Sequence, residues 1–250
     1  MLRLVGYIEI GKRETKDFEG KKKFVDKVKL IFEVFGPKYP PRVMDGQNVP
    51  LRVTVFENLS MYNKSNYYKK LFLPMSGGDP SVKHTAQLLG RPFSGKLFHK
   101  KTGAGRTIAT LQDPNTKDYT IGPPVFSDPM TGETKTLAVP PAVSPIRCFI
   151  WDQADKAMWD SIYIGGQVGG RSANVFQEDI KLAVNYKGSH VEKLSDAVSN
   201  EVDDYIQSFE APTVDYSDDD PFGYVPPQEA QQGTADQAAA AYSNRFRRGK

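Results

Sequence analysis

The chain has 250 residues, with a single cysteine, Cys148, and three scattered histidines, His84, His99 and His190. That inventory excludes an internal disulfide and a thiolate zinc cage, and no structural metal or cofactor is expected. No run approaches the roughly 18 apolar residues of a membrane-spanning helix, and the small formal charge of +3 hides three blocks of alternating sign. Residues 1–194 hold 29 Lys and Arg against 19 Asp and Glu, residues 195–244 hold 11 acids and no Lys or Arg, and four cations fall in the last six residues. A basic body suits a polyanion, because each phosphate it neutralises releases condensed counterions. An acidic, Pro-containing tail suits a protein partner, or a competitor for the polyanion.

Met1–Ile10 alternates and lacks the charged start, long apolar stretch and cleavage site of a signal peptide, so it reads as the first strand of a cytoplasmic protein. In 24–35 the even positions Phe24, Val28, Leu30, Phe32 and Val34 are apolar, with Asp26 the exception, while Lys27, Lys29 and Glu33 take the odd positions. One buried and one wet face follow. Leu51, Val53 and Val55 repeat the pattern, with Arg52 and Phe56 opposite. Gly36-Pro37, Pro40-Pro41 and Asp45-Gly46 punctuate the chain between these strands.

Two short helices are predicted next, Ser60–Phe72 and Ser81–Leu89, each opened by a serine that can cap free N–H groups. Phe93–Lys101 and Arg106–Leu111 then read as a hairpin joined at Thr102-Gly103-Ala104-Gly105, with Lys96, Lys100, Lys101 and Arg106 around its tip. A Pro-rich stretch follows, carrying strand-like pieces at Tyr119–Ile121 and Thr136–Val139, before the apolar Cys148–Trp151. Helices return at Asp152–Trp159, at Ala173–Val184, and after the capping-box pattern Ser189-x-x-Glu192.

Catalytic signatures are thin. Gly90-Arg91-Pro92-Phe93-Ser94-Gly95-Lys96 matches a phosphate-cradling loop, but Leu97 replaces the magnesium-binding hydroxyl, Pro92 removes a backbone donor, and strand-like sequence follows in place of a helix. Cys148 sits in an apolar run, and no carboxylate is spaced to activate His84 or His99. Asp152, Asp155 and Asp160 read as an N-cap, a dipole partner and a solvated side chain rather than as metal ligands. Nucleic-acid binding has more support. Arg3, Tyr7, Lys27, Lys29, Arg52 and Phe56 are expected on the strand face turned from the core, where cations follow phosphates and flat rings stack bases. The Lys21-Lys22-Lys23 turn and the tyrosines Tyr62, Tyr67 and Tyr68 beside Lys64, Lys69 and Lys70 extend the basic footprint.

In the tail, Asp215-Tyr216-Ser217-Asp218-Asp219-Asp220-Pro221-Phe222 resembles the Asp-Asp-Asp-x-Pro-Phe tip of bacterial single-stranded DNA-binding proteins. With the basic, β-rich body, the chain resembles the single-stranded DNA-binding proteins of tailed bacteriophages. The resemblance implies an OB-like β-barrel with added helices over residues 1–187, a C-terminal helix over 188–209 and a disordered acidic tail with a basic terminus over 210–250. It also implies a non-enzymatic protein of DNA replication, recombination and repair that coats exposed strands. Lys96, Lys100, Lys101 and Arg106 would join the DNA-binding face, and Asp218, Asp219, Asp220, Pro221 and Phe222 would recruit replication or recombination enzymes. The bacterial tip ends in a Phe bearing the terminal carboxylate, whereas 28 residues follow Phe222 here, so docking through a carboxylate does not carry over. No membrane partner is expected, and a homo-oligomer is compatible with the reading. Two other classes fit parts of the sequence: a virion or scaffold protein, and a nucleotide-dependent enzyme using the Gly90–Lys96 loop.

Overall fold

The computed structural model describes residues 1–195 apart from Asp17, Phe18, Asp45 and Ala104. The predicted C-terminal helix is helical over 190–195; its remainder and the tail lie outside the described residues. The chain is mainly β, with strands β1 (Leu2–Lys16), β2 (Lys22–Val34), β3 (Arg42–Met44), β4 (Gln47–Val49) and β5 (Leu51–Asn58). A helical run over 66–76 follows, ending in α1 (Leu73–Ser76). Next come β6 (Pro92–Gly95), β7 (Phe98–Lys101), β8 (Thr107–Thr110), β9 (Ile121–Gly122), β10 (Val125–Ser127), β11 (Thr134–Thr136) and β12 (Arg147–Phe149). The described chain closes with α2 (Lys156–Ser161), β13 (Gln167–Val168), β14 (Arg171–Ser172) and α3 (Val175–Lys181).

One six-stranded sheet has the order β5-β2-β1-β6-β9, with β12 also paired to β1; among the described residues this path does not close into a barrel. Four two-stranded ribbons stand off it: β3–β4, β7–β8, β10–β11 and β13–β14. Two compact units divide the described chain, one built from Met1–Tyr7 and Lys29–Ile146, the other from Ile8–Val28 and residues 147–195.

In the first unit, Leu2, Leu4, Leu30, Phe32, Phe93, Leu71 and Leu88 are fully buried. Phe32 meets Phe93 edge to face at 6.2 Å between centroids. Glycine at position 6 is a packing requirement, because an added Cβ would lie 2.6 Å from Ile31 Cδ1. The helical run is wound as a π-helix over Tyr68–Phe72, with Leu73 N donating to Tyr68 O. Pro74 explains the widened turn: it has no N–H to continue the i→i−4 ladder, and its ring crowds the carbonyl four residues back. Ser65, not the predicted Ser60, caps this run, its Oγ accepting from Tyr68 N at 3.1 Å. The predicted Ser81–Leu89 helix shrinks to a 3-10 turn at Thr85–Leu88.

In the second unit, Ile8, Ile10, Val28, Phe149, Trp159, Ile162, Ile180 and Val191 form the core. Gly11 has φ +71°, and a Cβ there would lie 2.5 Å from the Trp151 ring and 2.6 Å from Ala183. The buried Glu9 carboxylate accepts from Trp151 N at 2.8 Å. Asp155, not the predicted Asp152, is the N-cap of α2, accepting from Met158 N at 2.8 Å, and Asp160 pairs with Lys156 at 2.9 Å. Ser189 caps the 190–195 helix as predicted, but the Glu192 carboxylate reaches one residue further back, to Gly188 N.

Candidate nucleic-acid interface

The expected DNA-binding face divides once its residues are placed. Met1 and Phe35 exchange both backbone hydrogen bonds, which sets Arg3 opposite Glu33 across β1 and β2. This patch was expected to be wet, yet the Pro-rich segment 139–146 covers it. The Arg3 guanidinium donates to the carbonyls of Pro140 (2.6 Å), Gly90 (2.5 Å) and Val139 (2.7 Å). Burial lowers its pKa, and the Glu33 carboxylate offsets only part of that shift. Glu33 is 0% exposed and accepts from Val143 N and Ser144 N, the latter at 2.6 Å. Arg3 is therefore a structural clamp, not a phosphate contact.

Tyr7 is a second correction. It is 0% exposed, so it has no free ring face on which a base could stack. Its ring meets His84 edge to face at 5.0 Å, and the hydroxyl lies 3.3 Å from His84 Nε2. His84 Nδ1 accepts from Ala86 N, so the proton of the neutral imidazole sits on Nε2 and is donated to Tyr7. That engagement accounts for His84 without catalysis.

The other members of the face keep some access. Alternation puts Lys27 and Lys29 on the face of β2 opposite the buried Val28 and Leu30, and Arg52 and Phe56 opposite the buried Val53 and Val55. The three cations are half-buried and Phe56 is 49% exposed. Phe24, expected inside, is exposed. The Lys21-Lys22-Lys23 turn carries its own acids: Lys22 pairs with Glu14 at 3.0 Å and Lys21 with Glu19 at 2.5 Å. The tyrosine cluster separates likewise. Tyr67 is buried with its hydroxyl 2.6 Å from Thr85 Oγ1, Tyr68 packs on Phe72, Lys70 pairs with Asp118 at 2.6 Å, and Tyr62 alone of the three rings is largely exposed.

The predicted hairpin survives in shorter form and is the most open basic feature. Its ladder pairs Phe98 with Thr110, His99 with Ala109, Lys100 with Ile108 and Lys101 with Thr107. Thr102 closes the turn, its N donating to Arg106 O at 2.7 Å and its Oγ1 accepting from Arg106 N at 3.2 Å. His99, Lys100, Lys101, Arg106, Thr107 and Ile108 are all exposed, so neither face of the ribbon is covered. Lys96, also exposed, holds its Nζ 4.9 Å from the centre of the Phe98 ring. Among the described residues, no carboxylate lies within ion-pair distance of Lys96, Lys100, Lys101 or Arg106. The ribbon's β8 lies beside the edge strand β5, which carries Arg52 and Phe56.

An open groove at the ribbon's root is lined by Ser94, Gly95 and Lys96, from the segment weighed as a phosphate loop, and by 119–122, which the sequence reading gave no binding role. The Tyr119 hydroxyl donates to Glu57 Oε1 at 2.5 Å, and burial together with that carboxylate pushes its pKa far above the usual range. Gln112, bridged to Tyr119, donates to the same oxygen at 3.4 Å.

The features weighed for catalysis have structural uses. Pro92–Gly95 is strand β6 inside the sheet, so the Gly90–Lys96 segment presents no helix N-terminus to a phosphate. Cys148 is 1% exposed, and burial with the nearby Glu9 pushes its thiol pKa up to about 12. Among the described residues no cluster of His, Cys, Asp and Glu is placed to hold a metal, and no helix is long and apolar enough to cross a membrane. The tail residues Asp218, Asp219, Asp220, Pro221 and Phe222 lie outside the described residues. No protein-family model, curated protein or solved structure matches the chain.

Proposed function

We propose that the protein binds single-stranded DNA stoichiometrically and without catalysis, using the β7–β8 ribbon as its main phosphate-binding element. The observation that carries this is the ribbon's four exposed cations, Lys96, Lys100, Lys101 and Arg106, none with a carboxylate beside it among the described residues. Cations that no acid neutralises and no carbonyl engages have no evident role in stability, and they attract a polyanion strongly. Phe56 on the neighbouring β5 supplies a ring for stacking, with Arg52 two turns of the pleat away on the same face.

The reading of the core as OB-like counts β1, β2, β5, β6 and β12 as its five strands. The helical run 66–76 and the 3-10 turn Thr85–Leu88 then fall between the third and fourth strands, and the β7–β8 ribbon in the connection from fourth to fifth, one of the loops OB-folds use to grip oligonucleotides. Recruitment of replication or recombination enzymes through Asp218–Phe222 belongs to the same proposal and is supported by the sequence resemblance. Titration of matched single-stranded and duplex oligonucleotides at two salt concentrations tests the function. Preference for the single strand is expected, with log K falling against log[salt] by about 0.7 per phosphate engaged. Equal affinity for duplex, or affinity indifferent to salt, overturns it.

A further inference from the structure

At the root of the ribbon, β6 and β9 form the floor of a groove of about 560 Å3, within the range of small-ligand sites. Ser94 opposes Gly122 and Gly95 opposes Ile121 in their ladder, and Lys96 N donates to Thr120 O at 3.0 Å. Alternation sends Ile121 inward, where it is buried, and leaves Ser94, Lys96, Thr120 and Gly122 on the outer face. The two glycines are there for different reasons. Gly95 is required by packing, since a Cβ would lie 2.5 Å from Leu2 Cδ1. Gly122 is not: the nearest atom to an added Cβ is the Pro74 carbonyl oxygen at 3.9 Å, and its φ is not positive.

Ser94 turns its hydroxyl onto Pro123 O at 2.9 Å, which leaves the floor as short side chains and bare backbone. One end carries Lys96 with its exposed ammonium, and Thr120 is exposed beside Gly122. An open groove that joins a cation, a hydroxyl and an unneeded glycine fits a nucleotide. We propose that it seats one nucleotide of the bound strand, with the phosphate on Lys96 and the Thr120 hydroxyl, and the sugar and base over Gly122. This rests on the single-strand-binding reading and extends the contact from the ribbon onto β6 and β9.

The test uses the full chain and a fluorescent oligothymidine. Two variants place something in the groove: Gly122→Val adds a branched side chain that a strand accepts, and Thr120→Glu adds an acid at an exposed position. Each is expected to weaken binding roughly tenfold, the loss of one nucleotide's contacts. The melting temperature of each variant is measured beside it, and Thr120→Glu decides the matter where Gly122→Val lowers that temperature. Wild-type affinity in Thr120→Glu, or in a fully folded Gly122→Val, overturns the groove while the wild-type titration leaves the ribbon's role standing. A wild-type protein that binds no single strand overturns both.

Discussion

The patch of β1 and β2 around Arg3 and Glu33 and the β7–β8 ribbon are both rich in charge, yet they use it oppositely. In the first, every charge is turned inward: Arg3 holds three carbonyls, Glu33 holds two N–H groups, and together they fasten 139–146 across the strands. In the second, Lys100, Lys101 and Arg106 lie exposed toward the tip of a two-stranded ladder. A basic residue on a strand therefore says little about its partner until the covering segment is known. The charges around Arg3 are engaged within the fold, and those of the ribbon meet no carboxylate among the described residues.

The sharpest way to break this contrast is Tyr7→Ala. If Tyr7 were a stacking residue, the variant would fold normally and bind weakly; buried as it is, the loss falls on stability, by about 3 to 5 kcal/mol in urea denaturation. Next comes Glu33→Ala, which strands the N–H groups of Val143 and Ser144 and leaves Arg3 without its counter-charge. A loss of about 3 kcal/mol is expected, with DNA affinity of the folded fraction unchanged. The ribbon variant Lys100→Ala/Lys101→Ala/Arg106→Ala reverses the pattern. Its stability should stay within about 0.5 kcal/mol of wild type, while the salt slope of single-strand binding flattens by about 0.7 for each phosphate lost. A ribbon variant that unfolds, or one that binds with an unaltered slope, contradicts the assignment.

The smallest effect concerns Cys148. Its thiol is held protonated in the folded protein up to about pH 12, whereas an unfolded chain releases that proton near 8.5. The unfolded state thus binds fewer protons between those values, so stability declines as pH rises through that window. The share due to Cys148 reaches roughly 2 kcal/mol by pH 10, read as the difference between wild type and Cys148→Ala in urea titrations at pH 8 and pH 10. A difference that does not change with pH counts against it.

Much of the strand content was legible because period-2 patterns are strong where one face is wet, as over Leu51–Phe56, and because the Gly-rich turn after Lys101 marks a hairpin. The Ser189 cap was legible too, whereas the cap expected at Asp152 falls instead on Asp155, because α2 starts one turn later than predicted. Tyr7 and Glu33 were misplaced because β1 is buried without interruption from Leu4 to Gly11 and β2 from Leu30 to Val34, so alternation no longer separates an inner from an outer side. What covers Glu33 comes from 110 residues downstream, beyond any local pattern. The groove was invisible for a related reason: its floor depends on a two-residue strand, Ile121–Gly122, finding β6.

The Arg3 clamp also bears on how the chain acquires its structure. Arg3 closes on Pro140 across 137 residues, and β1 takes β12 as a neighbour as well as β2 and β6. β1 therefore waits for some of the last described segments before its surroundings are complete. Contacts of such sequence separation must repay a large loop-closure entropy, which places this protein among slow folders. During that interval the apolar length of β1 stands uncovered on one side, so synthesis is the stage at which the chain is most prone to aggregate.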